Sequence, residues 1–117
     1  MPPTILLVDD SDGIRELCTD VLTAAGFRVL SASSVEQAMW EIDRAPGRID
    51  VLLSDITMPN RSALGLATAL KARWPHLRVL LMSGSEPEAP APLPFLPKPF
   101  SPAVLVSRVR DLLADDR

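Results

Sequence analysis

Short apolar runs alternate along this chain with stretches that have helical periodicity. The runs are rich in Val, Ile and Leu, and most of them end in a polar or charged residue. Runs of this kind are typical of strands that are buried on both faces of a parallel sheet. The pattern therefore predicts an α/β fold whose strands lie at 5–8, 27–32, 50–54, 78–82 and 93–97.

The stretches between these strands carry apolar residues at helical spacing. A first helix is predicted to begin at the cap Ser11-Asp12 and to stop at Gly26, and a second follows Ser33-Ser34. A third is predicted from Leu64 to Trp74, and a last one has Pro102 in its first turn. Helices and strands alternate as they do in doubly wound sheets.

The alternation breaks before the fifth strand, where proline is frequent. Six prolines lie between Ser85 and Phe100. Proline removes a main-chain donor and clashes with the preceding helical turn, so no α-helix can continue through this stretch. We expect the fourth helix to be missing, with a Pro-rich loop at 86–94 in its place.

Composition narrows the class of protein. The 117 residues, 47% of them apolar, fit a single domain over 1–117. The formal charge of −3 gives no electrostatic footprint for nucleic acid, and no apolar run is long enough to span a membrane. We expect a cytoplasmic protein. Its one cysteine, Cys18, excludes an intrachain disulfide, and its helical spacing favours a buried packing role.

Charged and hydroxyl side chains follow the predicted strands, at the point where each strand ends. They are Asp9, Asp10, Asp55, Ser83 and Lys98. The carboxyl ends of parallel strands meet at one edge of a sheet, where open α/β folds bind their ligands. The sequence therefore predicts an acidic crevice with one fixed cation beside it.

Several short motifs stand in order at these strand ends. Asp9-Asp10 follows strand one, Asp55 is followed by Met58-Pro59, Ser83-Gly84 follows strand four, and Lys98-Pro99-Phe100 follows strand five. Each motif is weak alone, but the ordered combination is specific. Over essentially its whole length the chain resembles a two-component response regulator receiver domain of the CheY-like family. The resemblance implies a flavodoxin-like, doubly wound, five-stranded parallel sheet in the order 2-1-3-4-5.

The same resemblance implies a role for each site residue. Asp55 is the implied phosphoacceptor, and Lys98 places its ammonium against a phosphoryl oxygen. The implied cofactor is Mg²⁺, held by Asp9, Asp10, Asp55 and the main-chain carbonyl of Thr57. The Lys98-Pro99 peptide bond is expected to be cis.

Two further residues match the switch positions of the family. Ser83 offers a hydroxyl that can donate to a phosphoryl group and draw its loop inward. Phe95 matches the aromatic residue that turns inward with it. A phenylalanine without the tyrosine hydroxyl equally fits a plain core position.

Three functions compete. The leading hypothesis is a signalling phosphoacceptor rather than an enzyme. It takes a phosphoryl group from a histidine kinase or a histidine phosphotransfer protein, and then switches a surface that contacts an effector protein or a second copy. The altered fourth-helix region motivates an alternative, a receiver-like scaffold whose binding ignores phosphorylation. A phosphate-ester hydrolase using Asp55 is weaker, because Thr57 stands where a second acid or base would be needed.

The ends of the sequence bear on how the domain is used. The start Met1-Pro2-Pro3 favours a natural N-terminus. A stand-alone shuttle and a receiver that continues into an effector domain after Arg117 both remain open.

Overall fold

The computed structural model describes residues 2–44, 47–56, 63–84 and 94–114, and it arranges them as alternating strands and helices. The strands are β1 (Thr4–Val8), β2 (Arg28–Ala32), β3 (Val51–Asp55), β4 (Arg78–Ser83) and β5 (Phe95–Pro97). The helices of the described ranges are α1 (Asp12–Ala24), α2 (Val35–Arg44), α3 (Ala63–Arg73) and α4 (Pro102–Ala114).

All five strands form one parallel sheet in the order β2-β1-β3-β4-β5, which confirms the predicted order. In its register, Leu7 lies beside Leu53, Asp55 beside Met82 and Ser83 beside Pro97. The carboxyl ends of the strands therefore share one edge of the sheet, which we call the carboxyl edge. The opposite edge is the amino edge.

Each strand divides its side chains between two apolar layers, because successive residues of a strand point to opposite faces. Leu6 and Leu52 belong to the layer that also contains the buried residues of α2 and α3. Ile5 and Leu53 belong to the other layer, with the buried residues of α1 and α4. Both faces of the sheet are thus covered, as the unbroken apolar runs require.

The ends of α1 follow from local chemistry, as predicted. The Ser11 hydroxyl accepts a hydrogen bond from the main-chain N–H of Ile14 (3.3 Å), which satisfies one donor of the first turn. After the last turn, Gly26 has a φ of +99°, a conformation that favours glycine.

Two of the strands, β3 and β4, end one residue later than predicted at the carboxyl edge. The ladder continues through Asp55, because the next residue, Ile56, donates its N–H to the Met82 carbonyl (3.0 Å). Ser83 is likewise part of β4, since its carbonyl accepts from the Lys98 N–H (2.9 Å). Two predicted site residues therefore sit on the sheet itself.

The helical faces are also rotated slightly from the predicted ones. Leu17 and Val104 are exposed, although both are among the apolar residues at helical spacing in their helices. Their chain neighbours Cys18 and Leu105 are buried, which confirms the packing role predicted for the cysteine.

The predicted Pro-rich loop at 86–94 lies outside the described residues, apart from Pro94. The Pro94 carbonyl accepts a hydrogen bond from Leu81 N–H (2.9 Å) just before β5 begins. Whether a loop replaces a helix there, and whether 1–117 is one domain, both stay predictions. Of the helices in the described ranges, none has the length and apolar character needed to cross a membrane.

Candidate phosphoacceptor site

The carboxyl edge gathers four of the predicted site residues in a buried setting. Asp9 follows β1, Asp55 ends β3, Ser83 ends β4 and Lys98 follows β5. Asp9, Asp55 and Ser83 are 0%, 3% and 1% exposed. Ionised carboxylates are rarely buried to this extent unless they are paired with a cation or a metal.

Lys98 supplies that pairing. Its Nζ lies 2.8 Å from Asp9 Oδ2 and 3.4 Å from Asp55 Oδ2, so one ammonium bridges the two carboxylates. The Lys98-Pro99 bond is cis, as expected. Gly84 lies beside the lysine stem, where an added Cβ would be 3.7 Å from Lys98 Cβ.

Two opposing effects set the pKa of Lys98. Burial of the ammonium lowers it, but the hydrogen bond and negative charge of Asp9, together with those of Asp55, raise it more. The net result is a pKa above the ordinary value of lysine. Lys98 is therefore a permanent positive charge at physiological pH.

Asp9 is fixed by bonds to all of its polar groups. Its Oδ1 accepts from the Ser11 N–H (2.9 Å), and its Oδ2 accepts from Lys98. Its own N–H donates to the Ala32 carbonyl (3.1 Å), and its carbonyl accepts from Nη1 of Arg15 (2.7 Å). A buried carboxylate bonded in this way is held in one orientation.

Asp10 completes an acidic cluster with Asp9 and Asp55. One carboxylate oxygen from each of the three lies within 4.8 Å of the other two. Among the described residues, Lys98 is the one cationic side chain bonded to carboxylates of this three-carboxylate cluster, so negative charge is in excess there. Asp10 is exposed and opens the cluster to solvent. Hard oxygen donors of this kind fit Mg²⁺, which prefers a few carboxylates and retains some of its waters. Thr57, the fourth predicted ligand, lies outside the described residues.

The structure separates the two predicted switch residues by their surroundings. Ser83 is buried at the end of β4. Phe95 is half-buried and packs against the apolar layer that contains α2 and α3. Its carbonyl accepts a hydrogen bond from Nη2 of Arg108 (3.1 Å). A change in the position of either residue on phosphorylation stays a prediction.

Cys18 belongs to the apolar layer that contains α1 and α4, and the charges of this site affect its pKa. Burial and, to a smaller extent, the negative charge of Asp9 raise the pKa of Cys18 to about 11, although Lys98 acts in the opposite direction. The thiol is therefore neutral at physiological pH, and nothing in its surroundings activates it.

Sequence reasoning missed two residues that hold the acidic loop, Ser11 as a donor to Asp9 and Arg15. The guanidinium of Arg15 reaches back from α1 to the Asp9 carbonyl and to the Asp12 carboxylate. An arginine in the second turn of a helix that follows an acidic pair could have signalled such a contact. Its partner, a main-chain carbonyl, leaves no mark in the sequence.

Comparison with known proteins agrees with this geometry. The profile of the family described as "Response regulator receiver domain" matches residues 5–110. The chain belongs to this family. The sensor kinase CckA of Brucella abortus is 31% identical over 94% of the chain, and the transcriptional regulatory protein CpxR of Klebsiella pneumoniae is 36% identical over 93%. The chain spans only 12% of the length of the first of these proteins and 48% of the length of the second.

Solved receiver structures have the same fold. The receiver domain of the hybrid histidine kinase CckA is 33% identical, with a TM-score of 0.81 over 94% of this chain and 98% of that one. A response regulator receiver protein from Sinorhizobium medicae WSM419 is 28% identical, with a TM-score of 0.84 over 97% and 96%. The expected flavodoxin-like receiver fold is thereby confirmed, and membership of this family connects the chain with two-component signalling.

Proposed function

We propose that this receiver domain accepts a phosphoryl group on Asp55, in the presence of Mg²⁺, from a phosphohistidine of a histidine kinase or a histidine phosphotransfer protein. The observation that supports this most strongly is the bridge from Lys98 to the buried carboxylates of Asp9 and Asp55. Such a bridge keeps a nucleophilic carboxylate and a fixed cation together at the ligand-binding edge of the sheet.

The proposed reaction is a direct transfer. A carboxylate oxygen of Asp55 attacks the phosphorus atom, forming a P–O bond while the P–N bond of the phosphohistidine breaks. The imidazole leaves with the electron pair of that bond and takes up a proton from solvent. Asp55 becomes an acyl phosphate, and no other covalent bond changes.

Charge neutralisation is the main task of the other residues. An anionic phosphoryl group must approach an anionic carboxylate, and positioned cations lower the cost of that approach. Lys98 is close enough to Asp55 (3.4 Å) to pass from its carboxylate to an incoming phosphoryl oxygen while keeping Asp9 as a partner. Asp9, Asp10 and Asp55 would hold Mg²⁺, which when bound supplies further positive charge to the phosphoryl oxygens.

The proposed output is a protein contact that depends on the phosphorylated state. A new acyl phosphate offers acceptor oxygens next to Ser83, whose hydroxyl could donate to it and move the end of β4. An effector protein or a second copy of the chain would read that change. We expect no turnover of small phosphomonoesters, because this role is that of a stoichiometric acceptor.

Intact-protein mass spectrometry tests the proposal. The protein is incubated with acetyl phosphate and Mg²⁺, in parallel with Asp55→Asn and with a sample that contains excess chelator. We expect one phosphoryl adduct on the unmodified protein and none in either control. Asp50→Asn, which changes an aspartate at the amino edge, should leave the adduct in place.

The absence of an adduct, both with acetyl phosphate and with a phosphorylated histidine phosphotransfer protein, would overturn the proposal. The phosphorylation-independent scaffold would then be the better account. Steady release of phosphate from a small phosphomonoester would instead favour the hydrolase.

A further inference from the structure

We propose that Arg15 is a positioning residue that fixes the Asp9-Asp10 peptide group and thereby sets the affinity of the acidic cluster for Mg²⁺. This inference rests on the proposed function, because it concerns the ion that phosphorylation would require. Arg15 itself touches neither Asp55 nor Lys98 through any hydrogen bond in the described part of the structure.

The contacts of Arg15 form a clamp. Nη1 donates to the Asp9 carbonyl at 2.7 Å, and Nη2 donates to the carboxylate of Asp12 in the first turn of α1. A guanidinium presents its donors in a fixed fork, so two simultaneous bonds restrain the carbonyl more than one would. The side chain is mostly buried, at 20% exposure, which limits competition from water.

The carbonyl in this clamp belongs to the peptide bond that leads into Asp10. The Asp9 side chain has its own restraints from Ser11 and Lys98. The Asp10 carboxylate, in contrast, is exposed and has no hydrogen-bond or ion-pair partner among the described residues. The orientation of the Asp9-Asp10 peptide plane is therefore the main restraint on the position of the Asp10 Cα atom, from which the carboxylate side chain extends. Without Arg15, that plane can rotate and carry the Asp10 carboxylate away from the other two.

Charge and positioning make opposite predictions for the removal of Arg15. The guanidinium is a positive charge near an acidic cluster, so its loss would strengthen Mg²⁺ binding if it acted only through its charge. Loss of a group that orients a metal ligand weakens binding, commonly by a factor of about 10 or more. The sign of the change therefore separates the two roles.

Isothermal titration calorimetry with Mg²⁺ on the whole chain measures this sign. We expect Arg15→Ala to raise the Kd for Mg²⁺ about tenfold. Arg15→Lys keeps the positive charge and a single donor group but loses the forked geometry of the guanidinium. Its Kd for Mg²⁺ should therefore lie between that of the unmodified protein and that of Arg15→Ala. Arg48→Ala is the matched control, because Arg48 also bonds a neighbouring loop residue, Asp50, but at the amino edge. Its Kd should equal that of the unmodified protein.

An unchanged or lowered Kd in Arg15→Ala would overturn the inference. If Arg15→Ala does not fold, as judged by urea unfolding without Mg²⁺, Arg15→Lys takes its place. A raised Kd for Mg²⁺ in Arg15→Lys then supports the inference, and an unchanged or lowered Kd overturns it. Failure of the unmodified protein to bind Mg²⁺ is a different result, which counts against the proposed function and not against Arg15 alone.

Discussion

The two edges of the sheet each pair an aspartate with a cationic side chain, and they do so in different environments. At the amino edge, Asp50 Oδ1 lies 3.0 Å from Arg48 Nε, and its Oδ2 accepts from the Thr4 N–H (2.8 Å). The Arg48 side chain is 67% exposed. At the carboxyl edge, Lys98 is 17% exposed and Asp9 is fully buried.

This difference shows what separates a structural ion pair from a candidate reactive site. The amino-edge pair joins residues that are close in sequence, is exposed to solvent on its Arg48 side and stabilises one loop. The carboxyl-edge pair joins residues 89 positions apart and has two more carboxylates beside it. Burial makes each charge there costly unless it is paired, so the cluster depends strongly on Lys98, which bonds two of its carboxylates. An open depression lined by Arg48, Trp74 and His76 lies at the amino edge, yet it contains no comparable convergence of buried charge.

The largest effect should come from removing the cation at each edge. Lys98→Met leaves the buried Asp9 carboxylate without its cationic partner, and we expect it to lower the free energy of unfolding by about 3 kcal/mol. Arg48→Met breaks an exposed pair and should cost no more than about 0.5 kcal/mol. Urea unfolding at pH 7 without Mg²⁺ measures both.

The pH of that experiment follows from the raised pKa of Lys98. A raised folded-state pKa gives stability that is fully present below the unfolded value, about 10.4 for lysine, and lost as the pH rises through the folded value. At pH 7 the pair therefore contributes in full. Equal losses in Lys98→Met and Arg48→Met would contradict the contrast between the edges.

Replacing one aspartate by asparagine at each edge, Asp55 or Asp50, should change the free energy of unfolding in opposite directions. In Asp55→Asn, repulsion from Asp9 and Asp10 is removed while Lys98 keeps its closer partner, so stability without Mg²⁺ should rise by about 1 kcal/mol. In Asp50→Asn the ion pair with Arg48 is lost and nothing is relieved, so stability should fall slightly, by about 0.5 kcal/mol. Thermal or urea unfolding in the presence of a chelator measures the stability of both variants. A loss of stability in Asp55→Asn would mean that the cluster is not strained by its like charges.

A further effect appears only at alkaline pH and concerns Cys18, whose pKa is raised mainly by burial and also by the charge of Asp9 at the carboxyl edge. The unfolded thiol ionises near pH 8.5, but the folded one has a pKa of about 11, so stability should fall as the pH rises between these values. From pH 8 to 9.5 this amounts to about 1 kcal/mol. Cys18→Ala will be less stable at every pH because packing is lost, but its profile should be flatter over that window. If the pH profiles of Cys18→Ala and the unmodified protein were parallel, the thiol would have the same pKa in the folded and unfolded states.

Much of this arrangement could be predicted from the sequence, because strand ends in a parallel sheet converge by geometry. The positions of Asp9, Asp55 and Lys98 followed from the apolar runs that precede them. The chemistry assigned to them came from their ordered resemblance to receiver domains, and the family match confirms that resemblance.

Other features depended on distances that a periodic pattern does not encode. Helical spacing identifies an apolar stripe but not its rotation, and one residue turns a helix by about 100°. Helical spacing therefore does not distinguish Leu17, which is exposed, from its neighbour Cys18, which is buried. The adjacent Asp9 and Asp10 look equivalent in sequence, yet one is buried and the other exposed. The clamp by Arg15 ends on a main-chain carbonyl, which every residue possesses.

The most direct test of the account is to locate the phosphoryl adduct. Borohydride reduces an acyl phosphate of aspartate to homoserine, and peptide mapping by tandem mass spectrometry then identifies the modified position. After incubation with acetyl phosphate and Mg²⁺, we predict homoserine at position 55 and none at Asp9, Asp10 or Asp50. Homoserine at another aspartate, or at none despite a confirmed phosphoryl donor, would contradict the claim that the bridged carboxylate of Asp55 is the acceptor.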